Sequence, residues 1–334
     1  MKTPRRILIS PLDWGLGHAS RIIPLINRYL EQGDNVIIAG SGLSLNLLQK
    51  HFPTLRSIEI PSFKMKYSAG KSQVWAVVKA FPKLIYYSFK EHKALKRIVE
   101  EEKITFIISD NRFGLYHKSV PSAYITHQLM IKLPRGWSFL EPMVAYFHRC
   151  IINKFTECWV PDFEEMSESL AGELSHPAKL PRNVKYIGTL SRFTSSVSEN
   201  YVGFAQLLTP HSSLLTPNLA LAILSGAEPQ RSIFEDELLA KLQTYPHKNI
   251  ILIQGKVEAE QKVSKVGKVI VYNYMNTEEL QEYILKADKI ICRSGYSSIM
   301  DLHALGKLQN ATLIPTPGQT EQEYLAEYIS NNIK

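Results

Sequence analysis

The stretch "SPLDWGLGHASR", residues 10–21, gathers Asp13, His18 and Arg21 around two glycines, Gly15 and Gly17. An apolar run precedes it and an amphipathic one follows, so it reads as a strand end, a tight turn and a helix start. His18 and Arg21 are then one helical turn apart and share a face. Glycines let a backbone approach a ligand closely, and a helix N-terminus favours an anion. A histidine placed there is a candidate general base. The plain alternative is a capping or packing histidine beside purely steric glycines. As a dinucleotide fingerprint the loop fails. Ser20 stands at the third glycine position, and the next strand ends in "IIAGSG" with no acidic residue for a ribose.

Two further stretches carry chemistry. In "LAILSGAEPQRSIFE", Ser225-Gly226 ends an apolar strand, and a helix near Pro229 aims free N–H groups above it, with Arg231 in its first turn. Alone this is an ordinary strand-to-helix turn. More informative is "KIICRSGYSSIMDLHALGKLQNATLIPTPGQTEQEYLAEYI". There a strand runs through Arg293 into Ser294, Gly295, Tyr296, Ser297 and Ser298, followed one turn later by Asp301. Hydroxyls and unpaired N–H groups at a helix start suit a diphosphate. Asp301 would accept ribose hydroxyls. The loop Gly318, Gln319, Thr320, Glu321 and Gln322 offers amides and a carboxylate for sugar hydroxyls.

The elements that position these residues alternate. "RILIS", "NVIIAG", "ITFIISD", "SAYITH" and "ECWVPD" are short apolar strands separated by helical segments. Such strands imply a doubly wound parallel sheet with ligands beyond its carboxyl ends, where Asp13, Asp110 and His127 fall. "NVKYIGTLSRFTSSVSEN" reads as a last strand entering a polar linker. After Pro217 the pattern restarts with "LALAILSG", "NIILIQG", "KVIVYNY", "KIICRSG" and "ATLIPTP". The expectation is two Rossmann-like α/β domains, residues 1–195 and 215–334, facing a cleft.

Composition narrows the setting. Three cysteines form no CxxC pair, signalling neither a disulfide framework nor a zinc site. The uncharged stretch 201–227 contains prolines and polar residues and is no membrane span. The apolar run near the start is too short for a signal peptide, so the chain reads as cytosolic. The net charge of +8 is uneven. Residues 1–190 carry 26 Lys/Arg against 16 Asp/Glu, and residues 56–97 carry ten bases and two acids interleaved with Trp75, Phe81, Tyr86, Tyr87 and Phe89. That mixture suits an anionic membrane surface or a solvated helix face. No nucleic-acid motif accompanies it.

The third stretch together with "GLGH" resembles the GT-B glycosyltransferases, most closely the branch containing the MurG N-acetylglucosaminyltransferase, over most of the chain. The resemblance implies a C-terminal domain that binds a UDP-sugar as substrate, with no cofactor beyond it, and an N-terminal acceptor domain. Ser225, Gly226 and Ser294 to Ser298 fall at the donor diphosphate. Asp301 stands where the family has a ribose-binding carboxylate, usually Glu. Gln322 matches a sugar-binding Gln, but Glu323 replaces the usual second one, which leaves base and sugar open beyond N-acetylglucosamine as first candidate. On the acceptor side, "THQL" (His127, Gln128) matches a polar loop and follows Asp110-Asn111-Arg112. The Asp is also explicable as a turn cap. The chain stops at Lys334, where the fold usually continues into a helix crossing back to the first domain. The expectation is therefore a truncated C-terminus or a reduced crossing element.

The implied chemistry is a direct, inverting displacement, metal-independent because no acidic pair has metal-ligand spacing. His18 is the expected base, with Asp13 and Asp110 as rivals. The Ser294–Ser298 helix start, aided by Arg231 and Arg293, offsets charge on the leaving diphosphate. The acceptor is expected to be lipid-linked or a glycolipid, docked through the basic 56–97 segment at the inner face of a membrane. A nucleotide-sugar hydrolase or 2-epimerase, and a non-catalytic nucleotide-sugar-binding protein, are the alternatives.

Overall fold

The computed structural model describes residues 3–63, 74–193, 218–256, 258 and 260–332, except the side chains of 74–81 and Arg135. The first sheet contains β1 (Arg6–Pro11), β2 (Asn35–Gly40), β3 (Ser57–Glu59), β4 (Phe106–Asp110), β5 (Ser122–Ile125), β6 (Glu157–Val160) and β7 (Val184–Tyr186). Their order is β3-β2-β1-β4-β5-β6-β7, all pairs parallel. The chain starts in the middle and winds outward both ways, so β1 and β4 flank the switch point. Ligands of such sheets bind beyond the strand ends at that crevice.

Alternation along β1 explains why both faces are covered. Ile7 and Ile9 pack with Ile22 and Ile26 of α1 (Leu16–Glu31) and Leu45 and Leu48 of α2 (Gly42–His51). Leu8 turns the other way, onto Leu95, Ile98 and Val99 of α3 (Val74–Glu101). Beside it on that second face, α4 (Glu141–Ile152) packs Ile152 against Tyr124. The continuous apolar strands follow from this two-sided burial.

The second sheet contains β8 (Leu219–Ile223), β9 (Asn249–Ile253), β10 (Val263–Val266), β11 (Val269–Tyr272), β12 (Lys289–Arg293) and β13 (Ala311–Ile314), in the order β10-β11-β9-β8-β12-β13. It is parallel except for an edge hairpin, where β10 runs antiparallel to β11. The sequence reading did not anticipate this strand; four consecutive exposed residues give it no apolar signature. Helix α5 (Gln230–Leu242) covers one face through Phe234, Leu238 and Leu242. The other is covered by α6 (Thr277–Lys286) and α7 (Tyr296–Ala304), while α8 (Thr320–Asn332) follows β13. The core on this side is continuous with the first sheet, through Leu170, Ala171, Leu174, Tyr296, Leu325 and Ile329.

One buried ion pair fastens α3 to the switch point. Arg112, just past β4 and fully buried, donates to Glu91 Oε1 at 3.0 Å and to the carbonyl of Pro61 at 2.7 Å, and Glu91 Oε2 accepts the Gly114 N–H. Burial lifts the Glu91 carboxyl above its ordinary range, against the pull of Arg112. Removing one member of such a pair strands a charge, whereas replacing both with apolar groups costs far less. Arg112→Leu is therefore expected to lose about 3–5 kcal/mol in equilibrium urea unfolding. Arg112→Leu with Glu91→Leu should recover most of it.

Candidate active site

Loop 12–15 carries the chain from β1 to α1. Its entry is tied to β4 by the Leu12 N–H, which donates to the Asp110 carbonyl at 3.0 Å. Gly15, at φ 151°, is the N-cap of α1, a conformation that favours glycine. The helix thus begins early enough to put both His18 and Arg21 over the end of β4, where Asp110 is the last residue and pairs in register with Pro11. Three side chains meet there. His18 Nδ1 lies 3.1 Å from Asp110 Oδ2, and Arg21 Nε donates to the same oxygen at 2.9 Å. Arg21 also bonds Asp110 Oδ1, and its Nη2 sits 3.0 Å from His18 Nδ1.

The electrostatics follow from burial and pairing. Asp110 is fully buried, which by itself would raise its pKa. Arg21 and His18 outweigh that and hold the carboxyl at about 2. Arg21 is buried as well, while the His18 side chain keeps about 20% of its exposure. Among the described residues none bonds His18 Nε2. The arrangement is a largely buried imidazole whose inner nitrogen is fixed on a permanent carboxylate. A carboxylate this acidic and enclosed is a poor proton acceptor, so Asp110 is a partner of His18 rather than a rival base.

Other acceptor-side candidates are placed differently. Asp13 accepts the Ser44 N–H at 3.1 Å and so caps the first turn of α2. Asn111, at φ 56°, accepts from the Tyr124 hydroxyl at 3.1 Å. Arg112 is committed to Glu91, Pro61 and Pro11, which corrects its expected place in the site. The backbone N–H of Gln128 turns back onto Thr126 Oγ1.

On the second sheet, Ser225 and Gly226 (φ 104°) leave β8, and Gly295 is the N-cap of α7 with no side chain capping it. Ser297 and Ser298 lie in the first turn. Ser294 Oγ donates to the Gln322 carbonyl at 2.8 Å, joining this loop to the start of α8. The amide of Gln322 is engaged by the Thr316 N–H and by Gln319 Oε1. Glu323, standing where a second Gln was expected, accepts the Gly318 N–H. Both arginines expected to help the leaving group are committed elsewhere. Arg231 pairs with Glu228 and Glu235, each at 2.7 Å, and Arg293 donates to the Pro315 carbonyl with its guanidinium 3.7 Å over the Phe234 ring. Asp301 accepts from Ser191 Oγ at 2.6 Å and lies 3.6 Å from Arg192 Nε. Its expected ribose-facing carboxylate is thus a clamp on the segment after β7.

The two groups of residues meet. Ser297 Oγ donates to the Gly17 carbonyl at 3.0 Å, and a Cβ at Gly17 would come within 2.9 Å of that oxygen. This close approach accounts for the second glycine of the loop. The Tyr296 hydroxyl donates to the Pro161 carbonyl, and its ring stacks on His127 at 4.0 Å. His127 Nε2 lies 2.8 Å from Glu321 Oε1. Thr320 Oγ1 donates to the Lys132 carbonyl, and the Tyr324 hydroxyl accepts the Glu173 N–H. Sequence reasoning missed Ser191, Arg192, Lys132 and Glu173. No local signal marks them, since each meets the second unit through a residue more than a hundred positions away.

Residues 225–334 match the glycosyltransferase family 28 C-terminal domain. An uncharacterized glycosyltransferase from Methanosarcina acetivorans is 24% identical over 336 aligned residues, covering 95% of this chain and 81% of that one. The chain has the GT-B fold. Among solved structures, the glycotransferase of kitacinnamycin superposes at a TM-score of 0.61 with 13% identity, covering 99% of this chain and 85% of its own. Acinetobacter baumannii MurG superposes at 0.51 with 11% identity, covering 98% and 84%. At such identities the likeness is one of fold.

The acid–base linkage of Asp110 gives a test of its surroundings. A carboxyl held at about 2 against an ordinary 3.8 adds stability that is complete above the unfolded value and lost as pH falls through about 2. The gap corresponds to about 2 kcal/mol. Urea unfolding at pH 5, 4 and 3 should show wild type losing more stability on acidification than Asp110→Asn, which lacks the titrating group.

Proposed function

We propose that this chain is a glycosyltransferase that moves a sugar from a UDP-sugar to an acceptor hydroxyl by inverting displacement, with His18 as the base. The observation carrying this reading is the His18–Asp110–Arg21 constellation, placed one residue from Gly17, whose carbonyl receives Ser297 of the donor-side helix. Asp110, ionised, takes the Nδ1–H of His18. That tautomer leaves the Nε2 lone pair for the acceptor proton. Arg21 keeps Asp110 charged and stops it from swinging away.

The acceptor oxygen then bonds the anomeric carbon while the bond from that carbon to the phosphate oxygen breaks, its electron pair leaving on UDP. N–H groups at the start of α7, with the Ser297 and Ser298 hydroxyls and Ser225-Gly226, offset that charge. Glu321, on the first turn of α8, accepts from donor-sugar hydroxyls. N-acetylglucosamine is the first sugar to try, on the resemblance to MurG.

The acceptor in this reading is lipid-linked and the protein docks on an anionic membrane. Lys64, Lys66 and Lys71 of the basic segment lie outside the described residues, as do the side chains of Trp75, Lys79 and Phe81. What supports the reading is the exposed face beyond them. Phe89 is 70% exposed beside Tyr86 and Ile85 on α3, with Lys83, Lys90, Lys93 and Lys96 also at the surface. Trp137, Phe139, Met143, Tyr146 and Phe147 are exposed on and before α4. Tyr124 sits alongside Ser109 in the register, so it shares the sheet face of Ile107, and α3 and α4 cover that same face. Aromatic rings among bases fit a headgroup layer. No helix among the described residues is long and apolar enough to cross a membrane.

His18→Ala should lower turnover by about 10²- to 10⁴-fold while UDP-sugar affinity stays near wild type. Near-normal turnover would remove His18 as the base. A thermal-shift panel of nucleotide sugars should raise the melting point with one UDP-sugar. UDP release independent of any acceptor would instead mark a hydrolase or epimerase, and saturable binding with no product a binding protein. In vesicle sedimentation, Phe139→Ser with Phe147→Ser should weaken binding to anionic vesicles at least about tenfold, from two lost apolar side chains. Equal partitioning of wild type to neutral and anionic vesicles would remove the membrane reading.

A further inference from the structure

We propose that His127 is a positioning residue for the donor sugar: from the first sheet, its Nε2–H holds the Glu321 carboxylate of the second so that one oxygen is left for sugar hydroxyls. This rests on the reading above, in which Glu321 faces the donor. The geometry is over-determined. His127 follows β5, is almost fully buried and lies 2.8 Å from Glu321 Oε1. Its ring lies flat on Tyr296, 12° from parallel, and Tyr296 is fixed by the Pro161 carbonyl. The backbones on both sides are tied by Thr320 Oγ1, which donates to the Lys132 carbonyl at 2.7 Å. The imidazole has no room to turn, and its Nδ1 is buried with no hydrogen-bond partner.

Protonation states agree with this role. Burial lowers the His127 pKa, so the ring is neutral with one N–H, and facing a carboxylate that hydrogen sits on Nε2. Burial would raise Glu321, but the bond from His127 together with the electrostatic pull of His127, His18 and Arg21 outweighs it and keeps the carboxylate ionised. Among the described residues none bonds Glu321 Oε2. A fixed, acceptor-only oxygen engages O–H or N–H donors and repels another carboxylate. The sugar selected is therefore a neutral or N-acetylated hexose, and a sugar acid is refused. Because His127 and Glu321 stand on different sheets, the sugar pocket is complete only when the two units are together.

Calorimetric titration with UDP, UDP-glucose, UDP-galactose, UDP-N-acetylglucosamine and UDP-glucuronate tests this on wild type, His127→Phe, His127→Gln, Glu321→Ala and the His127→Phe, Glu321→Ala pair. His127→Phe retains a ring for Tyr296 but loses the N–H, and His127→Gln restores a donor. For the best-bound UDP-sugar, His127→Phe should lose about tenfold in affinity, as expected for a hydrogen bond to a charged group, with UDP affinity unchanged within twofold. His127→Gln should regain most of the loss, and adding His127→Phe to Glu321→Ala should cost nothing more. Equal weakening of UDP and UDP-sugar, fully additive losses, or UDP-glucuronate binding as tightly as the neutral sugars would overturn the proposal. A wild type that binds none of these sugars would instead remove the functional reading on which it rests. Were the Phe variant unable to fold, Glu321→Gln, which keeps shape but not charge, would have to show the same selective loss.

Discussion

A carboxylate sealed at the switch point of a parallel sheet governs the first half of this molecule. Asp110 is fully buried, so it must be satisfied by the protein, and among the described residues the side chains that do so come from α1. Arg21 supplies the positive charge and His18 a polar ring edge. Meeting that demand fixes the rotation of α1 about its axis. It therefore also fixes where the exposed edge of the imidazole points. The early start of α1 at Gly15, the Leu12 tie to Asp110 and the close approach at Gly17 are consequences of seating that helix end on one carboxylate.

The second half is joined to the first by contacts that use the very residues expected to handle the donor. Ser297 reaches Gly17, Asp301 reaches Ser191 and Arg192, Glu321 reaches His127, and an apolar core runs beneath them through Tyr296, Leu325 and Ile329. Polar side chains at a helix start or loop are poorly satisfied by their own element. Here a neighbour from the other sheet completes several of them. The residues expected to bind the donor are thus in part the residues that dock the two units.

Much of this architecture was legible in the chain. Apolar strands of four to six residues punctuated by glycine turns predict parallel sheets buried on both faces, and the order of motifs predicts two such units. The β10–β11 hairpin escaped because its first strand is exposed throughout and carries no apolar alternation. Arg231 looked like a free cation although Glu228 and Glu235 stand three and four residues from it, a helical spacing that allows pairing. The commitment of Arg293 to the Pro315 carbonyl emerges only in space.

By itself the sequence determined residue types, their places at strand ends and helix starts, and a ranking that put His18 first. Local rules suffice there, since turn chemistry, periodicity and capping act over a few residues. What only the tertiary structure decided is which polar groups are paired. It turned Asp110 from a competing base into the anchor of His18, Asp13 into a cap for α2, Arg112 into a strut for α3 and Asp301 into a clamp. A buried charge is defined by the partner that neutralises it, and for Asp110 that partner, Arg21, lies 89 positions away.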